Sequence, residues 1–356
     1  MKIDRRVYLD SLDKLMEIMR ATENSVTVMR AKVLVLAIMN LRYEKVAFNK
    51  ELSEHPFELT KQIIDDAICQ YNAFIDLLEF EGDKENVEDL GYKSNILEEK
   101  HQELWQEIWS RHNQEEFQEF VDMKYNRLVI NDLIKYVKDS NCVDFGAGNG
   151  SFAFALLQAG ASSIQGIDFG TKQVRYATKV AESLNLSNKA VFKEAEVFDT
   201  GLKSDSYEFA VSNGVFHHLS EYNMEKSVAE VARVMKDGGW FWYYIDGIDA
   251  ISMDLWDDSV ETLKDIPILF IEEVLKTLNL KRNKMVHVMD GLSATYKHSS
   301  WSEATAMLSK YGFTNFKRLT GGESTDFDLD VVESDKYGKE KFGEGDLRIL
   351  CQIKKV

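Results

Sequence analysis

The 356-residue chain has little cysteine, little proline and no long apolar run. Its three cysteines stand far apart, with no Cys-x-x-Cys pair and no Cys/His cluster. This spacing disfavours a disulfide framework and a structural zinc site, so we expect no bound metal. The most apolar stretch, residues 33–39, is far shorter than a membrane-spanning helix, and the charged start is unlike a signal peptide. These absences favour a cytoplasmic protein with no membrane partner.

Positive charge is also scarce, because 43 Lys and Arg residues face 60 Asp and Glu residues, for a formal net charge of −17. Proteins whose main work is to bind nucleic acid or anionic lipid need a basic surface. We therefore expect no nucleic-acid partner.

The first part of the chain has a helical pattern. Only two prolines interrupt the whole sequence, which permits long helices. Apolar residues recur at helical spacing, as at Leu12, Leu15, Met16 and Met19. We predict a helical N-terminal domain over residues 1–100 that serves dimerisation or packing, with a polar loop or hinge at 81–95. A homodimer through this domain is the expected assembly, and residues 101–139 are predicted to form a helical connector or lid.

From about residue 140, short apolar runs that end in turns alternate with helical stretches. This alternation is typical of βαβ units and a parallel sheet. Residues 313–321 and 347–355 have the pattern of two closing strands. We predict an α/β domain over 140–356, in which residues 247–312 form a helical insertion that covers the substrate.

A glycine-rich segment joins the first predicted strand to the next helix. Asp144 is followed by Gly146, Gly148 and Gly150, which gives the pattern D-x-G-x-G-x-G. Glycines let the backbone approach a ligand closely and leave amides free at a helix N-terminus. A dinucleotide site of the type G-x-G-x-x-G would need glycine at position 151, where serine stands. The segment therefore disfavours a nicotinamide-linked oxidoreductase.

This pattern resembles the first motif of the class I S-adenosylmethionine-dependent methyltransferases. Three further motifs follow in order: Asp168 after the second strand, Glu194 after the third, and residues 212–219 after the fourth. The last of these is similar to small-molecule methyltransferases of the ubiquinone-methylase type. The resemblance implies a Rossmann-like, mostly parallel sheet with an antiparallel last strand. It also implies S-adenosylmethionine as cofactor and S-adenosylhomocysteine as product.

The resemblance also implies which residues hold the cofactor. Asp144 would orient the amino group, Asp168 would accept the ribose hydroxyls, and Glu194 would face the adenine amino group. Residues 105–127 could form a lid from which Tyr125 and Arg127 reach the cofactor carboxylate. The complete predicted set is Asp144, Gly146, Ala147, Gly148, Asn149, Gly150, Asp168, Phe169, Glu194, Ala195, Asn213, Gly214, Tyr125 and Arg127.

Candidate catalytic residues follow the fourth and fifth strands, at the sheet edge where open α/β folds bind their ligands. His217 and His218 are the predicted general bases, since histidine titrates near neutrality. The predicted substrate-binding residues are Tyr243, Tyr244, Asp246, His287 and His298.

The expected function is methyl transfer to a small polar metabolite or sugar-like acceptor, at oxygen, with a histidine base. Asn213 is followed by Gly-Val rather than Pro-Pro, so the amino-methylating DNA and glutamine enzymes fit poorly. Two alternatives stay open: a methyltransferase for a macromolecule, protein or RNA, and a non-catalytic cofactor-sensing protein with this fold. The sequence does not identify the acceptor.

Overall fold

The computed structural model describes residues 4–81, 104, 114–323 and 325–355. Its helices are, in chain order, α1 Arg6–Ala21, α2 Val26–Ala47, α3 Pro56–Glu81, α4 Gln114–Ile130, α5 Ile134–Val137, α6 Ser151–Gln158, α7 Thr171–Ser183, α8 Glu221–Val234, α9 Ile251–Leu263, α10 Ile268–Lys276, α11 Arg282–Ser293, α12 Trp301–Lys310, α13 Leu329–Ser334 and α14 Gly338–Phe342. Its strands are β1 Asn141–Phe145, β2 Ser163–Asp168, β3 Ala190–Glu194, β4 Tyr207–Asn213, β5 Met235–Asp246, β6 Phe313–Arg318 and β7 Asp346–Ile353.

The chain divides into two compact units. A helical unit contains the described residues within 1–104, 249–295 and 333–343, and a sheet unit contains those within 105–248, 296–332 and 344–356. The predicted hinge at 81–95 lies outside the described residues, apart from Glu81. None of the helices described here combines the length and the apolar character that crossing a bilayer requires.

The helical unit forms where the sequence has an apolar stripe. The predicted stripe of α1 is buried, since Leu12, Leu15, Met16 and Met19 are each at most 1% exposed. The Ser25 side chain accepts a hydrogen bond from the Val28 amide and so caps the start of α2. The predicted helical character of the N-terminal region is confirmed over the described residues, whereas its role in dimerisation stays a prediction.

The sheet has the strand order β3-β2-β1-β4-β5-β7-β6. Strands β1 to β5 run parallel, and β7 lies antiparallel between β5 and β6. The expected Rossmann-like fold with an antiparallel last strand is confirmed. From β1 the chain continues outward through β2 to β3, and it then returns to β4 on the other side of β1 and continues outward to β5. The crevice at the carboxyl ends of β1 and β4 is therefore the place where such sheets bind ligands.

Residues 247–312 are helical, as predicted, but they are divided between the two compact units. Residues 249–295 belong to the helical unit, whereas 296–312 belong to the sheet unit. The sequence pattern could not show this division, because α9, α10 and α11 have the same helical periodicity as α12. The predicted role as a substrate cover stays a prediction.

Candidate active site

The glycine-rich loop between β1 and α6 has a backbone that side chains rarely adopt. Gly146, Gly148 and Gly150 have φ angles of +77°, +52° and +85°. A Cβ atom at Gly146 would lie 2.4 Å from Cγ2 of Val215, so packing requires this glycine. A Cβ atom at Gly148 would meet no described atom within 4 Å. The loop therefore has open space beside Gly148, where a ligand can approach the backbone.

Asp144 lies in β1 at the base of this loop and is 2% exposed. Its Oδ2 atom is buried and accepts no hydrogen bond from any described residue. Burial raises the pKa of Asp144 to about 7; Lys124 opposes this rise and Asp168 adds to it. A buried acceptor without a donor is costly, and the amino group of S-adenosylmethionine is a suitable donor. The site thus fits the cofactor that the loop motif predicts.

Lys124 is a site residue that the sequence analysis missed. It projects from α4, and its Nζ donates a hydrogen bond to Oγ of Ser151 at 2.5 Å, at the start of α6. Burial lowers the pKa of Lys124 to about 8, while Asp144 raises it and Arg127 lowers it. The sequence could have indicated Lys124 only if it had shown which face of α4 packs beside the glycine-rich loop.

Asp168 holds the loop from the end of β2. Its Oδ2 accepts a hydrogen bond from the Gly148 amide and its Oδ1 accepts one from the Gly170 amide, both at 2.8 Å. Burial raises its pKa, although these amides oppose the rise. Each carboxylate oxygen has a second lone pair that a ribose hydroxyl can use.

The end of β3 lies beside Asp168. Glu194 is the parallel partner of Asp168 in the β2–β3 register, and the Ala195 amide donates to the Asp168 carbonyl at 3.0 Å. The Glu194 side chain is exposed, and Phe169 is 38% exposed. The loop acids and the end of β3 are thus adjacent, as the motif order implies.

The two residues predicted to reach the cofactor carboxylate from α4 have other contacts. Arg127 is 7% exposed; its Nε donates to the Gly321 carbonyl at 3.0 Å, and a terminal nitrogen donates to Asp326 Oδ1 at 3.0 Å. Tyr125 packs against the hydrophobic core that contains α6. Lys124 is thus the α4 cation that contacts the start of α6, whereas Arg127 pairs with Asp326, and the predicted contacts of Tyr125 and Arg127 with the cofactor carboxylate stay predictions. Residues 105–113 of the predicted lid lie outside the described residues.

The second part of the site lies at the ends of β4 and β5. The Gly214 amide donates to the Tyr244 carbonyl at 3.2 Å, and the Asn213 Oδ1 atom is buried with no hydrogen bond from the described residues. The Tyr244 hydroxyl donates to Asp246 Oδ1 at 3.0 Å. Burial raises the pKa of Tyr244 well above its usual value, so its phenol stays protonated and able to donate. Tyr243 instead lies in the core, where its ring packs 5.9 Å from that of Phe216.

His217 is buried beside this edge, 3% exposed, with Nδ1 3.4 Å from Asp246 Oδ2. Burial lowers the pKa of His217 to about 3, and the nearby His298 lowers it as well, while a hydrogen bond to Gly214 raises it. The imidazole is therefore neutral at pH 7 and binds a proton weakly. This property argues against the predicted role of His217 as a general base.

The other predicted histidines separate. The His218 ring is 4.3 Å from that of His217, and the His298 ring stacks near Tyr296 at 6.2 Å. His287 belongs to the helical unit, where its ring lies 6.3 Å from Trp256. The structure thus groups His217, His218 and His298 in the sheet unit, whereas His287 belongs to the helical unit.

A buried group of charges supports the end of β5, and sequence reasoning missed it. Arg348 in β7 pairs with Asp326 at 2.6 Å, with Asp328 at 2.5 Å and with Asp346 at 3.0 Å. The Arg348 guanidinium lies 4.6 Å from the centroid of the Tyr244 ring. Since residues 326 and 328 lie in an irregular segment, no sequence periodicity could have shown this cluster.

Comparison with known proteins identifies the class. Residues 143–243 match the family described as "Methyltransferase domain". The chain is 25% identical over 186 residues to mouse EEF1A lysine methyltransferase 2, covering 46% of this chain and 73% of that protein. It is 27% identical over 114 residues to the Saccharomyces cerevisiae protein-lysine N-methyltransferase EFM4, covering 29% of this chain and 50% of that protein.

Solved structures are also similar. The YcgJ protein from Bacillus subtilis matches with a TM-score of 0.42 and 17% identity over 65% of this chain and 99% of that chain. A score this low supports no conclusion of its own. The domain match covers residues 143–243 and bears out the expected enzyme class, an S-adenosylmethionine-dependent methyltransferase. The small-molecule, ubiquinone-methylase-like subtype is not confirmed.

Proposed function

We propose that this enzyme transfers the methyl group of S-adenosylmethionine to the side-chain amine of a lysine in a protein acceptor. The observation that carries the proposal is the Asp246 carboxylate at the carboxyl edge of the sheet. Its side chain is 21% exposed, and it is oriented by the Tyr244 hydroxyl. A carboxylate in that position attracts a lysine ammonium. The two relatives whose names describe lysine methylation support the same acceptor class.

The cofactor supplies an electrophilic methyl group on a positively charged sulfur. We assign its amino group to Asp144, its carboxylate to Lys124 and its ribose hydroxyls to Asp168, with Glu194 and Ala195 beside the adenine. These assignments rest on the unpartnered Asp144 Oδ2 and on the open space at Gly148. The enzyme's main contribution is then to hold the acceptor nitrogen in line with the methyl group, which can lower the barrier by about 7–11 kcal/mol.

At the acceptor edge, the residues can bind and orient an amine. Asp246 accepts a hydrogen bond from the acceptor ammonium, and its partial exposure gives the departing proton a path to water. The Tyr244 hydroxyl donates a hydrogen bond that holds this carboxylate in place, and the neutral His217 ring lies beside it. This account replaces our expectation of oxygen methylation with a histidine base, because both named relatives are lysine methyltransferases and the low pKa of His217 makes that histidine a weak base.

The test combines labelled cofactor with two matched variants. The purified chain is incubated with methyl-labelled S-adenosylmethionine and the protein fraction of a cell extract, and labelled protein is hydrolysed to identify methylated amino acids. We expect methyl-lysine, with the yield reduced at least tenfold in Asp246→Asn and unchanged in Asp330→Asn, a neutralised exposed acid on α13. Label in a product other than methyl-lysine, or full activity of Asp246→Asn, would contradict the proposal.

A further inference from the structure

Several aromatic rings lie near Asp246, at the carboxyl ends of β4 and β5. A contact between one ammonium group and one carboxylate would not need these rings. We infer that an aromatic cluster, formed by His218, Tyr244, Tyr296 and His298 and joined to Asp246 through the Tyr244 hydroxyl, binds methylated ammonium groups, so that one nitrogen receives more than one methyl. This inference rests on the proposed amine acceptor. It adds a site of stated chemistry, for tertiary and quaternary ammonium ions.

The backbone fixes two of these rings over the edge of the sheet. Two hydrogen bonds anchor the irregular segment 295–299: the Lys297 amide donates to the His217 carbonyl at 2.7 Å, and the Ser299 amide donates to the Asp246 carbonyl at 3.1 Å. Tyr296 and His298 are two residues apart in this segment, and their rings are nearly parallel, with an interplanar angle of 11°. The segment therefore holds the Tyr296 and His298 rings side by side, with the Tyr296 ring 5.1 Å from that of His217.

The remaining rings complete the cluster. The Tyr296 centroid lies 4.7 Å from that of His218 and 5.1 Å from that of His217, and the Tyr244 ring lies 6.2 Å from His217. The side chains of His218, Tyr244, Tyr296 and His298 are partly exposed. Aromatic faces attract cations, and quaternary ammonium ions are bound by groups of such faces. Asp246 adds a full negative charge.

The faces of the aromatic rings become more important for binding the ammonium group with each methyl that is added. In every round the nitrogen lone pair forms an N–C bond, the C–S bond breaks, and its electron pair stays on sulfur. A further molecule of S-adenosylmethionine supplies each methyl, and the product ammonium must release a proton to water before the next round. Each added methyl replaces an N–H donor that Asp246 could bind. Aromatic faces keep their attraction, because it depends on charge and not on N–H groups.

A binding experiment tests the cluster directly. Full-length protein is titrated with choline and with 3,3-dimethylbutan-1-ol, its uncharged carbon isostere, and binding is followed by NMR. We expect choline to bind more tightly than the isostere. Tyr296→Ala should weaken choline binding about five- to thirtyfold, whereas Tyr296→Phe, which keeps the ring, should bind like the wild type. Unchanged S-adenosylhomocysteine binding in both variants shows that the domain is folded.

A product analysis separates this inference from the proposed function. With the protein acceptor fraction, the wild type should yield di- or trimethyl-lysine, and Tyr296→Ala should accumulate the monomethyl form. Monomethyl-lysine alone from the wild type, or equal binding of choline and its isostere, overturns the inference and leaves the lysine acceptor intact. Absence of any lysine label, together with choline binding that Tyr296→Ala abolishes, overturns the acceptor and leaves the cation site.

Discussion

Cofactor affinity should depend on pH through Asp144. With its pKa near 7 in the cofactor-free protein, this carboxyl is about one-tenth ionised at pH 6. If the ionised form holds the cofactor amino group, the Kd for S-adenosylmethionine at pH 6 should be about tenfold weaker than its plateau, and about thirtyfold weaker at pH 5.5. The pH range is chosen below 7.5, because α-amino groups lose their proton at about 7.7–8.0.

Isothermal titration calorimetry between pH 5.5 and 7.5 measures this effect. Asp144→Asn should bind more weakly at pH 7.5 and should show no slope, because an amide does not ionise in this range. Lys124→Met serves as a comparison: it should weaken binding, yet keep a slope, since Asp144 remains. A flat Kd for the wild type, or the same slope in Asp144→Asn, would refute the assignment of Asp144 to the cofactor amino group.

Three further outcomes are expected. Burial lowers the pKa of His217 from 6.5 to about 3, so the unfolded chain binds more protons than the folded chain between these pH values. The free energy of unfolding should therefore fall as the pH drops below 6.5, by at most about 1.4 kcal/mol per pH unit. In urea unfolding between pH 7 and pH 4, this free energy should change less steeply with pH in His217→Gln. Arg348→Met leaves buried aspartates unpaired and should cost about 3–5 kcal/mol in denaturant unfolding, with Arg348→Lys costing less; equal stability of wild type and Arg348→Met would exclude a stabilising cluster. Gly146→Ala should reduce the amount of folded protein, because the added Cβ atom meets Val215. Gly148→Ala should stay folded, as measured by circular dichroism, and should bind the cofactor more weakly. Normal cofactor affinity in Gly148→Ala would mean that the cofactor does not occupy the open space beside Gly148.

The sequence predicts the sheet and the cofactor loop because both depend on local signals. The glycines are needed for an unusual backbone conformation, and Asp144 is needed at the end of a strand. Both requirements are recognisable in a short stretch of sequence. Strand alternation with helices likewise predicts the parallel sheet. The burial of the α1 stripe follows from helical periodicity alone.

The proposed acceptor site at Tyr244, Asp246 and Tyr296 was harder to predict because it is assembled from distant segments. Tyr296 approaches His217 through a backbone hydrogen bond from Lys297, and no motif records that contact. The low pKa of His217 could not be predicted, because it depends on burial, which residue spacing does not show. The buried pairing of Arg127 with Asp326 could not be predicted either, because it depends on a segment nearly 200 residues away in the sequence.

A fractionated label assay tests most directly whether this enzyme transfers methyl groups to a protein amine. The purified chain and methyl-labelled S-adenosylmethionine are added to a cell extract, which is then separated into protein, RNA and small-molecule fractions. We expect the label in protein, on lysine, and absent when the Gly148→Ala variant replaces the wild type. Label in the small-molecule fraction, with none in protein, would contradict the account and restore a metabolite as the acceptor.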